Sequence, residues 1–433
     1  MRKMLKFWLS LILLVTCAIV SYANEVDCGA DRGVISKQDS VVAEADSTVK
    51  TIAGAKLRYE PKLLLDNDKE TWYEVGDSIL IVPKRKPNFF QKVLNYFMKD
   101  EDHSKDRLWM SFLGGPHYDT DTKLGLAVMG NAYFRLKSCD LSLQPSFASV
   151  RVDFSTSGYV STRLQGNTLI ANDKRRLNYE VEFESLPSYF WGMGYDECDI
   201  KANKTKMQRK QAHLTGEFMW RVARKFYVGP AIHWNWVRSE EIANMDLLDG
   251  QPLTTRSYGL GFTADYDGRD VITNAERGLY VHAGVLFFPK KLWNDFSFTR
   301  IDGRICYYHS LWRDAIIAAE LKGQFNIGNP SWAMMAQPGD SYTMRGYYKG
   351  RYRDKHAVTL QVELRQHIWN RLGAVAWGGC GSVFHNAAGM KKVLPNVGIG
   401  LRWAFRKRMN VRIDYGFGRS GEHGFIFAMS EAF

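Results

Sequence analysis

The 433-residue sequence predicts an all-β fold: a sixteen-stranded antiparallel transmembrane β-barrel preceded by a short N-terminal periplasmic segment. Three observations predict it. The chain opens with an export signal. From Arg107 onward, segments of about ten residues alternate apolar with polar or small side chains. The last of these segments ends on an aromatic residue, Phe433, at the carboxyl terminus.

The opening "MRKMLKFWLSLILLVTCAIVSYAN" sets Arg2, Lys3 and Lys6 before an apolar stretch over residues 7–20. Small residues at Ser21 and Ala23 place cleavage after Ala23, so residues 1–23 read as a secretory signal peptide. The apolar stretch is too short to span a bilayer comfortably. Thr16 before Cys17 argues against lipoprotein processing. The remaining cysteines, Cys28, Cys139, Cys198, Cys306 and Cys380, are scattered and form no CxxC, so neither a disulfide framework nor a zinc site is expected.

The formal charge is +12, and removing the signal peptide leaves +9. Residues 24–106 hold 13 basic and 16 acidic side chains, so the excess of cations lies beyond them. An exported chain rarely meets nucleic acid, and none is expected as a partner. Anionic lipid headgroups of the outer membrane or an arginine-lined lumen account better for the excess.

Residues 24–106 read as a periplasmic tether. Up to about residue 55 the composition is polar without a sustained period. "TWYEVGDSILIVP" predicts a small hairpin turning at Gly76-Asp77. "NFFQKVLNYFMKD" puts Phe89, Phe90, Val93, Leu94, Phe97 and Met98 on one face of a short amphipathic helix, about residues 88–99.

Residues 107–433 number 327, about 20 per strand and connection if sixteen strands are present. A tilted membrane strand takes ~9–11 residues, leaving room for tight turns and modest loops. The aromatic content of 13% suits interfacial girdles. A soluble sandwich or propeller would show similar alternation, but the chain end favours the barrel. "FIFAMSEAF" places Phe425, Phe427, Met429 and Phe433 on one face of a final strand, where a lipid-facing surface gives the aromatics a reason to be there. Glu431 interrupts that face.

Several motifs resemble those of the BamA/TamA-type outer-membrane barrel superfamily, the bacterial surface antigens. "QPGDSYTMRGYYKGRYRD" resembles the tip of that family's loop between the eleventh and twelfth strands, with Met344, Arg345, Gly346 and Tyr347 at the motif positions. "DYDGRDVITNAERGLYV" resembles its strand-turn pattern through Asp267, Arg269, Asp270, Arg277, Gly278 and Tyr280, with Ala275 where proline is usual. "SLPSYFWGMGYDE" matches a third pattern through Pro187, Phe190, Gly192 and Gly194, and "VELRQHIWNRLGAVAWGGCGSVF" resembles the strand pair after the loop. The Phe433 terminus resembles an assembly signal read by the barrel-assembly machinery.

The resemblance implies a loop folded into the lumen, with Arg345 held by a wall carboxylate. The acid that the family usually supplies is replaced by Gly379, leaving Glu363 or Asp414 as the expected partner. Gly346 would permit a tight turn, and Tyr347 would pack with its hydroxyl in water. The family's usual periplasmic POTRA domains are not recognisable in residues 24–106. The function implied is insertion or translocation of polypeptide or lipid at the outer membrane of a Gram-negative bacterium, with a periplasmic partner protein. Opening is expected where the first strand meets the last, and Gly114-Gly115 would weaken pairing there. The alternatives are a passive anion-favouring channel and a structural barrel anchoring a partner. No cofactor, metal or enzymatic activity is expected: HExxH and GxSxG are absent, and Ser420, Glu422 and His423 within one turn do not make a triad.

Overall fold

The computed structural model describes residues 72–75, 78–81, 106–119, 122–140, 143–240, 242–271, 274–406, 409–429 and 431–433. The chain divides into two compact units, Met1–Asp100 and Glu101–Phe433. In the first, β1 (Trp72–Val75) and β2 (Ser78–Ile81) pair antiparallel with Val75 opposite Ser78, while the turn expected at Gly76-Asp77 lies outside the described residues. The signal peptide and the helix expected at about 88–99 lie outside the described residues.

In the second unit the strands are β3 (Leu108–Asp119), β4 (Lys123–Phe134), β5 (Ser146–Ser155), β6 (Val160–Ile170), β7 (Arg175–Phe190) and β8 (Thr205–Ala223). They continue with β9 (Phe226–Glu240), β10 (Thr254–Asp267), β11 (Gly278–Phe288), β12 (Phe298–Trp312) and β13 (Ala315–Gly328). The last are β14 (His356–Trp369), β15 (Leu372–Phe384), β16 (Leu394–Arg406), β17 (Met409–Phe417) and β18 (His423–Met429). Each pairs with its neighbours in chain order, and β18 returns to β3, closing a sixteen-stranded barrel. Closure removes the free edges that an open sheet would present. Among the described residues, no helix is long and apolar enough to cross a membrane.

The strand period of two decides which way the barrel faces. Along β14, Leu360, Val362 and Leu364 are exposed while Gln361, Glu363 and Arg365 are buried. Elsewhere on the exterior Phe112, Leu126, Phe262 and Ile399 lie more than half exposed. A soluble sandwich would bury such residues, whereas a barrel in lipid presents them.

The two ends differ. Connections 224–225, 313–314 and 370–371 are two-residue turns at the end where β3 begins. The opposite end carries the longer connections, including 191–204, 241–253 and 329–355. The last of these joins the eleventh and twelfth barrel strands and folds inward over the lumen, where Arg345 and Met344 are almost fully buried. The longest connections gather at this end, although the β4–β5 and β10–β11 connections at the other end are also more than two-residue turns; such an asymmetry is usual in outer-membrane barrels.

The closing seam is short. β18 meets β3 through two residue pairs, Ile426 with Asp119 and Phe427 with Tyr118, whereas β3 meets β4 through twelve. Both seam pairs lie toward the loop end.

The expectation that the last strand runs to Phe433 is corrected. β18 ends at Met429, and residues 431–433 turn into the barrel. Phe425 and Phe427 alternate with buried Ile426 on β18, but Phe433 does not join them on the outer face. Its ring lies 6.4 Å from that of Tyr308, and its carbonyl accepts a bond from Arg365 at 2.9 Å. The cause is Glu431, which interrupted the apolar face in the sequence. A carboxylate facing lipid is costly, and inside the barrel Glu431 meets Arg402 Nε at 2.8 Å and Asn410 at 2.6 Å.

Candidate functional site

The loop tip is organised around one guanidinium. Arg345 Nη2 donates to Glu363 Oε2 at 2.5 Å and Nη1 to Asp414 Oδ2 at 2.9 Å, all three side chains being fully buried. The two carboxylates left as alternatives by the sequence are therefore both in contact. They reach the lumen from β14 and β17 because each lies on the inward parity of its strand. The strand that carries Gly379 contributes an aromatic face in place of an acid: the Arg345 guanidinium lies 3.7 Å from the Trp377 ring centroid. Trp377 Nε1 donates to Asn396 at 2.9 Å, and Asn396 in turn bonds the carbonyl of Arg345.

Backbone geometry explains why this sequence folds so at the tip. Met344 and Gly346 both have positive φ, 53° and 108°. A Cβ at Gly346 would lie 2.6 Å from the Gly416 carbonyl carbon on β17, so the tip packs backbone against backbone. Tyr347 departs from the expected arrangement. Its hydroxyl is not in water but donates to Pro395 O at 2.6 Å and accepts from Arg419 N at 2.7 Å. Burial pushes its phenol up to about 12.

Sequence reasoning missed the residues around the two acids. Arg365 Nε bonds Glu363 Oε1 at 2.7 Å, and Arg402 Nη1 and Arg412 Nη1 bond Asp414 at 2.5 and 2.8 Å. Arg402 and Arg365 also hold the terminal segment, through Glu431 and Phe433. One ring of ion pairs thus joins the loop tip to the carboxyl terminus. The signal was present in "VELR" and "VRID", where an acid and an arginine stand two apart on one strand face.

The other motifs occupy two more places. Phe190, at the end of β7, is fully buried under the guanidinium of loop residue Arg353, 4.6 Å away. Gly192 and Gly194 have φ of 97° and 88° and lead into α1 (Tyr195–Asp199). There Gly194 N bonds Arg353 O at 2.9 Å, so this motif clamps the second half of the inturned loop. Pro187 lies further back on β7.

Asp267 and Arg269 sit at the short-turn end, bonded at 2.9 and 3.1 Å, with Arg269 stacked 4.3 Å above the Tyr280 ring. Asp270 accepts from the backbone of Glu276 and Arg277, and Gly278 (φ 120°) approaches Gly268. These residues staple the β10–β11 turn. Ala275 is buried in that turn with Cys306, Tyr308 and Ala318, against which Phe433 packs.

The expected cationic lumen is corrected in one respect: its arginines are largely neutralised. Arg151 pairs with Asp153, Arg163 with Glu182, Arg209 with Glu184 and Arg304 with Glu320. Among the described residues, Glu180, Glu182 and His213 lie close enough to share an ion. Arg163 already donates to Glu182 at 2.7 Å, and His213 is 2.9 Å from Glu180. The protein's own cation therefore occupies that cluster.

A closed barrel that is apolar outside and charged inside, with a loop pinned in its lumen by a buried arginine, defines a transmembrane β-barrel of the inturned-loop type. The Omp85 superfamily domain matches residues 149–433, about two thirds of the chain. The chain belongs to the Omp85 superfamily. Its fold is similar to that of BamA from Haemophilus ducreyi lacking POTRA domains 1–3, with TM-score 0.51 and 10% identity over 78% of this chain and 81% of that one. It is also similar to CdiB from Escherichia coli, with TM-score 0.53 and 10% identity over 84% of this chain and 68% of that one. No curated protein matches the sequence significantly.

Proposed function

We propose that this chain is an outer-membrane barrel of a Gram-negative bacterium that inserts or translocates polypeptide or lipid without catalysing a reaction, by opening between β3 and β18. The observation that carries this reading is the two-pair seam. Strand pairing is the main barrier to parting a closed sheet, so a barrel joined by two residue pairs parts there first. Behind the seam a cavity of about 330 Å³ is lined by Gly115 and Tyr118 of β3, Ile426 and Phe427 of β18, and Tyr342 and Lys349 of the loop. Membership of the Omp85 superfamily supports the same reading, and the reading carries with it a periplasmic partner protein and the barrel-assembly machinery acting during biogenesis.

A passive anion-favouring channel is less well supported. Acids neutralise the lumenal arginines, and the inturned loop fills the long-loop end.

Tyr118 and Phe427 stand directly opposite one another across the seam. A Tyr118→Cys, Phe427→Cys double variant, oxidised in cells, is expected to abolish complementation of a deletion strain, and reductant to restore it. Full complementation by the oxidised form would show that the seam is not a gate.

A further inference from the structure

A second cavity, of about 390 Å³, lies at the long-loop end between the inturned loop, the β7–β8 connection and the start of β18. We propose that it is a binding site for a phosphorylated saccharide, an oxyanion on a sugar-sized body.

The argument is an inventory of donors and acceptors. Three cations line the cavity: Lys201, Lys204 and Arg351. Lys201 and Lys204 have no carboxylate partner among the described residues; Lys204 rests its ammonium 4.1 Å above the Tyr189 ring. Arg351 is 5% exposed and gives only Nη1 to a carboxylate, that of Glu422. Its Nε and Nη2 have no hydrogen-bond partner, and neither has the indole Nε1 of Trp191, which is 2% exposed and lines the same cavity. Nε and Nη2 form the edge of a guanidinium that takes two oxygens of one oxyanion side by side.

The acids at the cavity are already engaged. Glu422 is held by Arg351 and lies 3.5 Å from Tyr348 N. Asp340 accepts from the backbone N–H groups of Tyr342 and Thr343 at 2.7 and 2.6 Å. Donors therefore outnumber free acceptors, and buried donors left without partners are costly. A group with three or more acceptor oxygens supplies what is missing. The volume suits a sugar phosphate rather than a bare ion. Such a ligand could come free from outside the cell or as the headgroup of a membrane glycolipid.

The test is calorimetric titration of the full barrel in non-ionic detergent. The probes are glucose 1-phosphate, glucose, and a phosphorylated glycolipid with its dephosphorylated form. Saturable binding of glucose 1-phosphate supports a soluble source. Binding of the phosphorylated glycolipid alone supports a membrane source. In either case the Lys201→Gln, Lys204→Gln double variant, which removes two exposed charges and the Lys204 contact with the Tyr189 ring, is expected to weaken binding at least tenfold. Trp191→Phe, which deletes the indole N–H and keeps a smaller aromatic ring, is expected to weaken it severalfold. No saturable binding by either phosphorylated probe, equal binding of the unphosphorylated ones, or unchanged affinity in the double variant would overturn the proposal.

Discussion

Arg345 and Glu363 are 18 residues apart in the chain and meet at 2.5 Å with neither exposed to solvent. The contact joins the tip of a long connection to the wall of the barrel it closes. It is one member of a charge ring that ends at the last residue. Breaking it should therefore be felt beyond the loop.

Arg345→Ala leaves Glu363 and Asp414 with their remaining arginines but frees the tip. Loss of one partner from a buried ion pair costs about 3–5 kcal/mol. The temperature at which the folded barrel unfolds on a semi-native gel should fall clearly, with Arg345→Lys intermediate. An unchanged transition would remove the loop tip from the list of stabilising elements.

Tyr347→Phe tests the buried phenol. Its raised pKa means that its contribution to stability is fully present below about pH 10, the ordinary phenol value, and is lost as pH rises toward about 12. The wild-type melting temperature should drop more steeply between those limits than that of the variant. Parallel curves would show that Tyr347 is not protonation-linked to folding. At neutral pH the variant should lose about 1–3 kcal/mol, from two hydrogen bonds.

Thiol labelling reports on embedding. Cys380 is exposed on the outer surface of β15, whereas Cys198 is buried beneath the loop, where burial pushes its thiol up to about 11. In membranes, a lipid-soluble maleimide should modify Cys380 while a charged one does not, and Cys198 should react only after unfolding. Rapid modification of Cys380 by the charged reagent in intact membranes would contradict lipid contact.

Deleting residues 431–433 should leave β18 paired with β17 but deprive Arg365 and Arg402 of their terminal acceptors. The barrel should still assemble, with a lowered unfolding temperature that Glu431→Gln reproduces in part. If Phe433→Ala alone prevents assembly, the aromatic acts as a recognition signal as well as an internal contact.

Much of the barrel was legible because its physics is local. A two-residue period with one lipid-facing side writes itself along every strand, so "AVTLQVELRQHI" already separated Leu360, Val362 and Leu364 from Gln361, Glu363 and Arg365. The same parity put Glu363 and Asp414 on the lumenal side. Arg365 and Arg412 stand two residues from those acids on the same strands, but that Arg402 joins Asp414 and Arg345 joins both acids is set by strand register and by the fold of the long loop. The stacking of Trp377 on Arg345 was illegible for the same reason.

The end of the chain shows where the division falls. The sequence alone determined that a strand with Phe425 and Phe427 on one side completes the barrel, because alternation depends only on neighbouring residues. Only the tertiary structure decided that the segment after Met429 leaves that strand and carries Phe433 inward. That turn follows from Glu431 seeking Arg402 of β16 inside the barrel, and charge pairing between residues this far apart in the chain leaves no local pattern to read.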